Sequence, residues 1–346
     1  MEKYKILKKL VSFNTIKYEE NKLILDYIEK YLLNLGFKTE SKTKNLIMKI
    51  GENPKVGFLG HTDTVEYIDG WKSNPFILTE EANILRGLGA CDMKGGVSAV
   101  LDAVSKINLN ELKNGIKLYF TFDEEIGFGG VREIVKNNEK FPSFMIFGEP
   151  TNNEIFIGSK GIFELELNFE GKKAHSSNPL KGVSANLNAI NFLYELNKFY
   201  LEKIKIEENK NYEIPYTTMN IGIINGGSGK NSIPANCNAT IEFRTISKKH
   251  VELIKEKIEK LSQKYKCSVK IVDEIDPFIS ESNLIEKMRT ANFITEASFV
   301  DAKEKIILGV GPITAHEVNE YITKESYDKL VKQYINIIRK KDKEWI

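Results

Sequence analysis

The sequence predicts an α/β protein in which a mostly parallel sheet is flanked by helices and interrupted by an inserted, ferredoxin-like α+β domain. Three observations carry this. Segments 56–60, 116–122, 144–147 and 306–310 are mostly apolar, the pattern of strands covered on both faces. Past Gly158 the texture changes: Phe163, Leu165, Leu167 and Phe169 alternate with Glu164, Glu166, Asn168 and Glu170. That strand buries one face only. The segment bearing His316 comes after the altered stretch, so the chain must return to its first sheet.

The elements follow in order. Residues 19–35 place Leu23, Ile24, Tyr27, Ile28, Tyr31, Leu32 and Leu35 at helical spacing, and Gly36 supplies a C-cap. A glycine-rich loop, 87–96, feeds a helix carrying Val97, Val100, Leu101 and Val104. Strands ending at Phe122 and Phe147 come next. The inserted stretch then reads as a strand, a helix over 184–200, strands over 218–224 and 236–245, a helix with Val251, Ile254, Ile258 and Leu261, and a strand with Cys267, Val269 and Ile271. This β-α-β-β-α-β order is the split ferredoxin-like unit. It puts the insert at 161–277 and a discontinuous first domain at 1–160 and 278–346, with Pro277 as the re-entry hinge.

Composition excludes several classes. The 346 residues suffice for two sizeable cores. A formal net charge of +2, with acids and bases interspersed, gives no nucleic-acid or membrane footprint. The stretch Met1-Glu-Lys-Tyr-Lys5 lacks the features of a signal peptide, and no apolar run matches a membrane span. Cys91, Cys237 and Cys267, odd in number and widely spaced, argue for a reduced compartment without disulfides. The expected location is the cytoplasm.

Five acidic or histidine clusters stand just past apolar segments or in the glycine-rich loop. They are His61-Thr-Asp63, Asp92, Glu124-Glu125, Glu149 and His316. In open α/β sheets ligands bind outside the carboxyl ends of the strands, so the five converge on one crevice. Two histidines and three carboxylates, with no cysteine, suit Zn²⁺, and less selectively Mn²⁺ or Co²⁺. Five protein ligands exceed the need of one catalytic zinc. They fit two cations sharing a carboxylate, an arrangement that polarises a carbonyl and activates water. One member of the Glu124-Glu125 pair then remains as general base, and Asp63 is placed to orient the His61 ring.

These motifs and the inserted unit resemble the acetylornithine deacetylase and succinyl-diaminopimelate desuccinylase family of dinuclear-zinc amidohydrolases, over about residues 7–337. The resemblance implies a zinc-peptidase-like catalytic domain and two divalent metal ions. It implies that Asp92 bridges them, that His61 and Glu149 complete one position, and that Glu125 and His316 complete the other. Glu124 is then the general base and Asp63 the partner of His61, and the Asp92-Met93 peptide is cis. The inserted domain becomes a lid and dimerisation surface. His175, in Ala174-His-Ser-Ser-Asn-Pro179, steadies the oxyanion from the partner of a homodimer. Arg244 and Asn231 hold the substrate carboxylate. His250, outside every motif, is expected at the surface.

For the substrate, a small N-acyl amino acid, Ile214-Pro-Tyr-Thr-Thr-Met-Asn-Ile-Gly222 and Thr295-Glu-Ala-Ser-Phe299 look more like the acetylornithine deacetylases, although Ser298 replaces a common proline. Ser159-Lys160-Gly161 has one cation fewer than the paired arginine typical of desuccinylases. The resemblance thus points to N-acetylornithine hydrolysis, giving acetate and ornithine in arginine biosynthesis. Alternatives on the same scaffold are a desuccinylase, a lysine-releasing hydrolase of carrier-bound amino acids, and a dipeptidase or carboxypeptidase. A non-enzymatic amino-acid-binding relative would lack a ligand or the base, and none is missing.

Overall fold

A computed structural model describes residues 3–285 and 289–344. The chain forms two compact units. The first takes Met1–Ile157, Ser280–Lys287 and Thr295–Ile346, and the second Gly158–Ile279 and Met288–Ile294.

The first unit is built on a six-stranded sheet. Its spatial order is Lys38–Lys42, Leu46–Ile50, Ile116–Thr121, Val56–His61, Phe144–Phe147 and Glu304–Ile307. The last four strands run parallel, and the first two form an antiparallel hairpin at one edge. Val56–His61 is buried along its whole length, as is Phe144–Phe147. Helices Lys5–Val11, Lys94–Ser105 and Lys324–Glu344 contribute Leu7, Val100 and Tyr334 to the same core as Phe58 and Ile146. Val56–His61 lies between the strands that follow it, one on each side. The strand order therefore reverses there, and a crevice opens at the carboxyl ends.

Three glycines let the chain close tightly at those ends. A Cβ on Gly96 would lie 2.3 Å from the Gly148 carbonyl oxygen, and one on Gly309 would lie 2.2 Å from the Glu149 oxygen. A Cβ on Gly148 would meet Met93 Cε at 2.5 Å. At Gly96 and Gly309 the neighbour is main chain and cannot swing aside, so the Lys94–Ser105 helix packs directly on the strand exits.

The second unit has its own core and a four-stranded antiparallel sheet. The order is Thr218–Gly226, Asn236–Thr245, Gly161–Glu170, Cys267–Ile275. Helices Ala185–Phe199 and Lys248–Tyr265 pack on it, completing the ferredoxin-like order. Both are capped by serine: Ser184 Oγ accepts from Leu187 N–H at 3.2 Å and Ser247 Oγ from His250 N–H at 3.3 Å. Ala291 belongs to this unit, because its N–H donates to the Gly158 carbonyl and its own carbonyl accepts from Lys160 N–H.

His250 corrects the surface expectation. It is fully buried, with Nδ1 2.7 Å from Thr217 Oγ1 and Nε2 3.2 Å from Glu207 Oε2. Both ring nitrogens find partners, so the imidazole joins the apolar helix face beside Val251 and Ile254 without an unpaired polar atom. All three cysteines are free. No helix among the described residues is long and apolar enough to cross a membrane.

Candidate metal centre

The first unit gathers all five predicted donors, Glu124 and Asp63. His61 is delivered by the buried end of its strand. Glu124 and Glu125 begin a single helical turn, Glu124–Gly127, just past Thr121. Asp92 lies at the foot of the Lys94–Ser105 helix, its peptide to Met93 cis as expected. Glu149 follows Phe144–Phe147, and His316 follows Glu304–Ile307 by way of a cis Gly311-Pro312 peptide.

His61 Nδ1 lies 3.1 Å from the backbone oxygen of Asp63, which can only accept, so Nδ1 carries a proton. The Asp63 carboxylate stands slightly further off, at 3.5 Å, and its other oxygen accepts from Glu125 N–H at 3.2 Å. Asp63 thus orients His61 mainly through its main chain. The free edge of the ring faces only acids: Nε2 is 3.1 Å from Asp92 Oδ1 and 4.0 Å from Glu124 Oε2 and Glu149 Oε2. His316 Nε2 is 3.1 Å from Glu125 Oε2 and 3.6 Å from Asp92 Oδ2.

Ligand atoms in three triads lie within 4.8 Å of one another: His61–Asp92–Glu149, Asp92–Glu125–His316 and His61–Glu124–Glu125. Asp92 belongs to both triads that omit Glu124. Two ligands about 2.0–2.1 Å from a tetrahedral cation stand about 3.3 Å apart, close to the shorter separations here. Among the described residues Glu125 Oε1 is buried without a hydrogen-bond partner, as a donor awaiting a cation would be.

The electrostatics agree. Four carboxylates crowd two imidazoles, and burial together with mutual repulsion pushes the Glu124 and Glu149 carboxyls well above the ordinary range. Glu125 is raised for the same reasons, first of all burial. Burial opposes protonation of His61, yet Asp63 and Asp92 outweigh it and hold the ring well above its usual value. Glu125 lifts His316 to about 9. In the absence of cations the cluster gathers protons instead, which is how a divalent-cation site behaves when stripped.

Residues 57–340 match the model of peptidase family M20/M25/M40. The chain belongs to that family. It is accordingly a hydrolase of the metal-dependent peptidase and amidohydrolase kind. Acetylornithine deacetylase of Yersinia pestis is 34% identical over 343 residues, covering 88% of this chain and 87% of that protein. Acetylornithine deacetylase of Buchnera aphidicola subsp. Schizaphis graminum is 32% identical, covering 93% and 94%. Among solved structures, an M20 family metallo-carboxypeptidase from Sulfolobus solfataricus aligns with a TM-score of 0.79 at 20% identity, over 99% of this chain and 100% of that one. A dinuclear metal binding peptidase of the family from Bacillus subtilis aligns at 0.72 and 12% identity, over 98% and 96%. These two likenesses concern the fold.

The remaining predicted residues of this M20 chain lie in its second unit. His175 is exposed, with Nδ1 2.7 Å from Ser177 Oγ, and it pairs with Ser232 in a short antiparallel ladder. Ser176 N–H donates to the Asn231 carbonyl at 3.0 Å, so His175 and Asn231 are neighbours. Arg244 forms a bidentate pair with Glu242, at 2.8 and 3.0 Å, the structural alternative to contacting substrate.

Two buried acids beside the cluster had no role in the sequence reading, where Glu296 stood only within the stretch Thr295–Phe299 and Glu320 not at all. Glu296 Oε2 accepts from Thr121 Oγ1 at 2.9 Å, and burial raises its carboxyl to about 8. Glu320 receives three backbone N–H groups of the Asp92 loop. The one available signal was position: Glu320 falls four residues after His316.

Proposed function

We propose that this chain is a dinuclear metal-dependent deacylase of small N-acyl amino acids, with N-acetylornithine its foremost substrate. The observation that carries this reading is the pair of donor triads sharing Asp92, with Glu124 part-buried beside them and committed to neither. His61, Asp92 and Glu149 would hold one cation, and Asp92, Glu125 and His316 the other; zinc suits these donors, with cobalt or manganese as substitutes. Bound there, the cations supply Lewis-acid polarisation of the scissile carbonyl and lower the pKa of water.

The chain's own residues manage the proton. The Glu124 carboxylate, outside both triads that share Asp92, can take a proton from water and pass it to the departing amine. Asp63 fixes the His61 tautomer so that Nε2 faces the donors. His175, as oxyanion partner, and Arg244 with Asn231, at the substrate carboxylate, keep the roles the resemblance implies. For Arg244 this requires exchanging Glu242 for substrate.

The acetyl assignment is supported by the relatives named acetylornithine deacetylase and by the single cation at Lys160. A panel of N-acetylornithine, N-succinyl-diaminopimelate, lysine bound through its α-amino group to a carrier protein, and dipeptides, with Zn²⁺ or Co²⁺, tests it. The expected result is the highest kcat/KM on N-acetylornithine. Preference for dipeptides rejects the deacetylase, and preference for the succinyl or carrier-bound substrate moves the chain to that alternative.

A homodimer through the second unit is part of the proposal. Leu187, Ile190 and Tyr194 on one helix and Ile224 on the adjoining edge strand are all more than half exposed, a patch that association would cover. Sedimentation should show a dimer, and Ile190→Asp should shift it toward monomer. A wild-type monomer at micromolar concentration removes this part.

A further inference from the structure

One buried carboxylate outside the donor set links the loops that present Asp92 and His316. Glu320 is 2% exposed. Its Oε1 accepts from Cys91 N–H at 2.7 Å and Asp92 N–H at 3.0 Å, and its Oε2 from Gly89 N–H at 2.8 Å. Its carbonyl accepts from Gly87 N–H at 3.1 Å. Asn319 strengthens the link: its carbonyl accepts from Arg86 Nη1 at 2.8 Å and its side-chain oxygen from Lys72 N–H at 2.7 Å. The segment that begins at His316 is therefore stitched to the loop that ends at Asp92.

Other contacts hold the loop as well, Leu88 N–H donating to the Pro75 carbonyl at 2.8 Å and Cys91 Sγ–H to the Pro312 carbonyl at 3.4 Å, while the Glu320 carboxylate takes the N–H of Asp92 itself. Gly89 sits at φ +77°, a backbone conformation that glycine adopts without strain. Backbone N–H groups aimed at one carboxylate form charge-assisted bonds, which hold geometry better than neutral ones.

We propose that Glu320 is a positioning residue that sets the separation of Asp92 from His316 and so tunes the cation position these two share. The inference rests on the dinuclear reading above. Glu320 touches no donor atom; it acts through the main chain of Asp92. Removing an outer partner of this kind costs about 10–100-fold in metal affinity.

Asp342 provides the control. Its carboxylate likewise accepts three backbone N–H groups, from Lys113 at 2.7 Å, Asn114 at 2.9 Å and Gly115 at 3.1 Å, in a loop with no donor. Cobalt(II) is titrated into the full chain, followed by visible absorption and by chelator competition. Wild type should take up two cobalt ions. Glu320→Ala should bind the weaker ion about 10–100-fold less tightly, with an altered absorption band. Glu320→Gln, which keeps an acceptor for Cys91 and Asp92 but opposes Gly89 N–H with its own amide N–H, should fall between. Asp342→Ala should melt earlier yet keep wild-type cobalt affinity and spectrum.

Unchanged cobalt binding in folded Glu320→Ala overturns the inference, as does an equal loss in Asp342→Ala. If Glu320→Ala does not fold, unchanged binding in Glu320→Gln overturns it. Fewer than two cobalt ions on the wild type would remove the dinuclear reading itself, and the inference with it.

Discussion

Glu124 and Glu125 are chemically identical neighbours with different surroundings. Glu125 Oε2 meets His316 Nε2 at 3.1 Å, and its N–H is fixed by Asp63, whereas Glu124 Oε2 stands 4.0 Å from His61 Nε2, outside hydrogen-bonding range. Glu124→Gln should therefore lower kcat by about 10²–10⁴ with cation content unchanged, and Glu125→Gln should lose part of one cation. Steady-state kinetics beside elemental analysis checks this; a lost cation in Glu124→Gln would exchange the two roles. At this scale the sequence was informative wherever a residue followed a buried strand, because the strand end dictates where its next side chains emerge. It was silent on partners chosen by long-range packing. The approach of His61 to the Asp63 carbonyl, the burial of His250 and the embrace of the Asp92 loop by Glu320 all depend on segments that adjoin only in the folded chain.

Elements bring those residues into register, and the Lys94–Ser105 helix does so by close approach. A Cβ on Gly96 would sit 2.3 Å from the Gly148 oxygen, which belongs to main chain and cannot swing aside. Gly96→Ala should cost at least about 1–3 kcal/mol by overpacking, and the strain falls between Asp92 and Glu149. Urea unfolding with cations absent reads the stability loss, and cation affinity should fall alongside; stability within about 0.5 kcal/mol of wild type contradicts the close-packing account. Strands with apolar runs were legible because a doubly covered sheet leaves polar residues nowhere to go. The edge strand Lys38–Lys42 and the small sheet of Thr79–Glu81, Ile84–Arg86 and Tyr321–Thr323 were not, being short or polar. In Cys267–Ile275 the alternation marked a strand yet not its open side, since Val269 and Ile271 are exposed.

For the whole molecule, the cluster makes stability depend on cations and protons together. Glu124 and Glu149 are raised well above the ordinary 4.5, burial being the first cause, and Glu125 lifts His316 to about 9. Without cations the folded chain thus holds protons that the unfolded chain has released. Where the native state binds more protons, stability falls as pH rises, here from about the unfolded carboxyl value upward through about 9. The solvent-exposed His316 adds a screened share of this. Cations reverse the preference, because they bind the deprotonated donors and expel those protons. Affinity for Zn²⁺ or Co²⁺ therefore grows with pH, and ligation stabilises the fold by mass action. The increment in Tm on adding a fixed excess of Co²⁺ to chelator-treated protein should widen from about pH 5 to about pH 8, where most of the proton competition has been removed. Differential scanning calorimetry at matched ionic strength measures it, and Glu149→Gln, with one raised carboxyl removed, should flatten the trend. An increment that stays constant or shrinks over that range means that cations and protons do not compete for these side chains, and the two-cation centre goes with it.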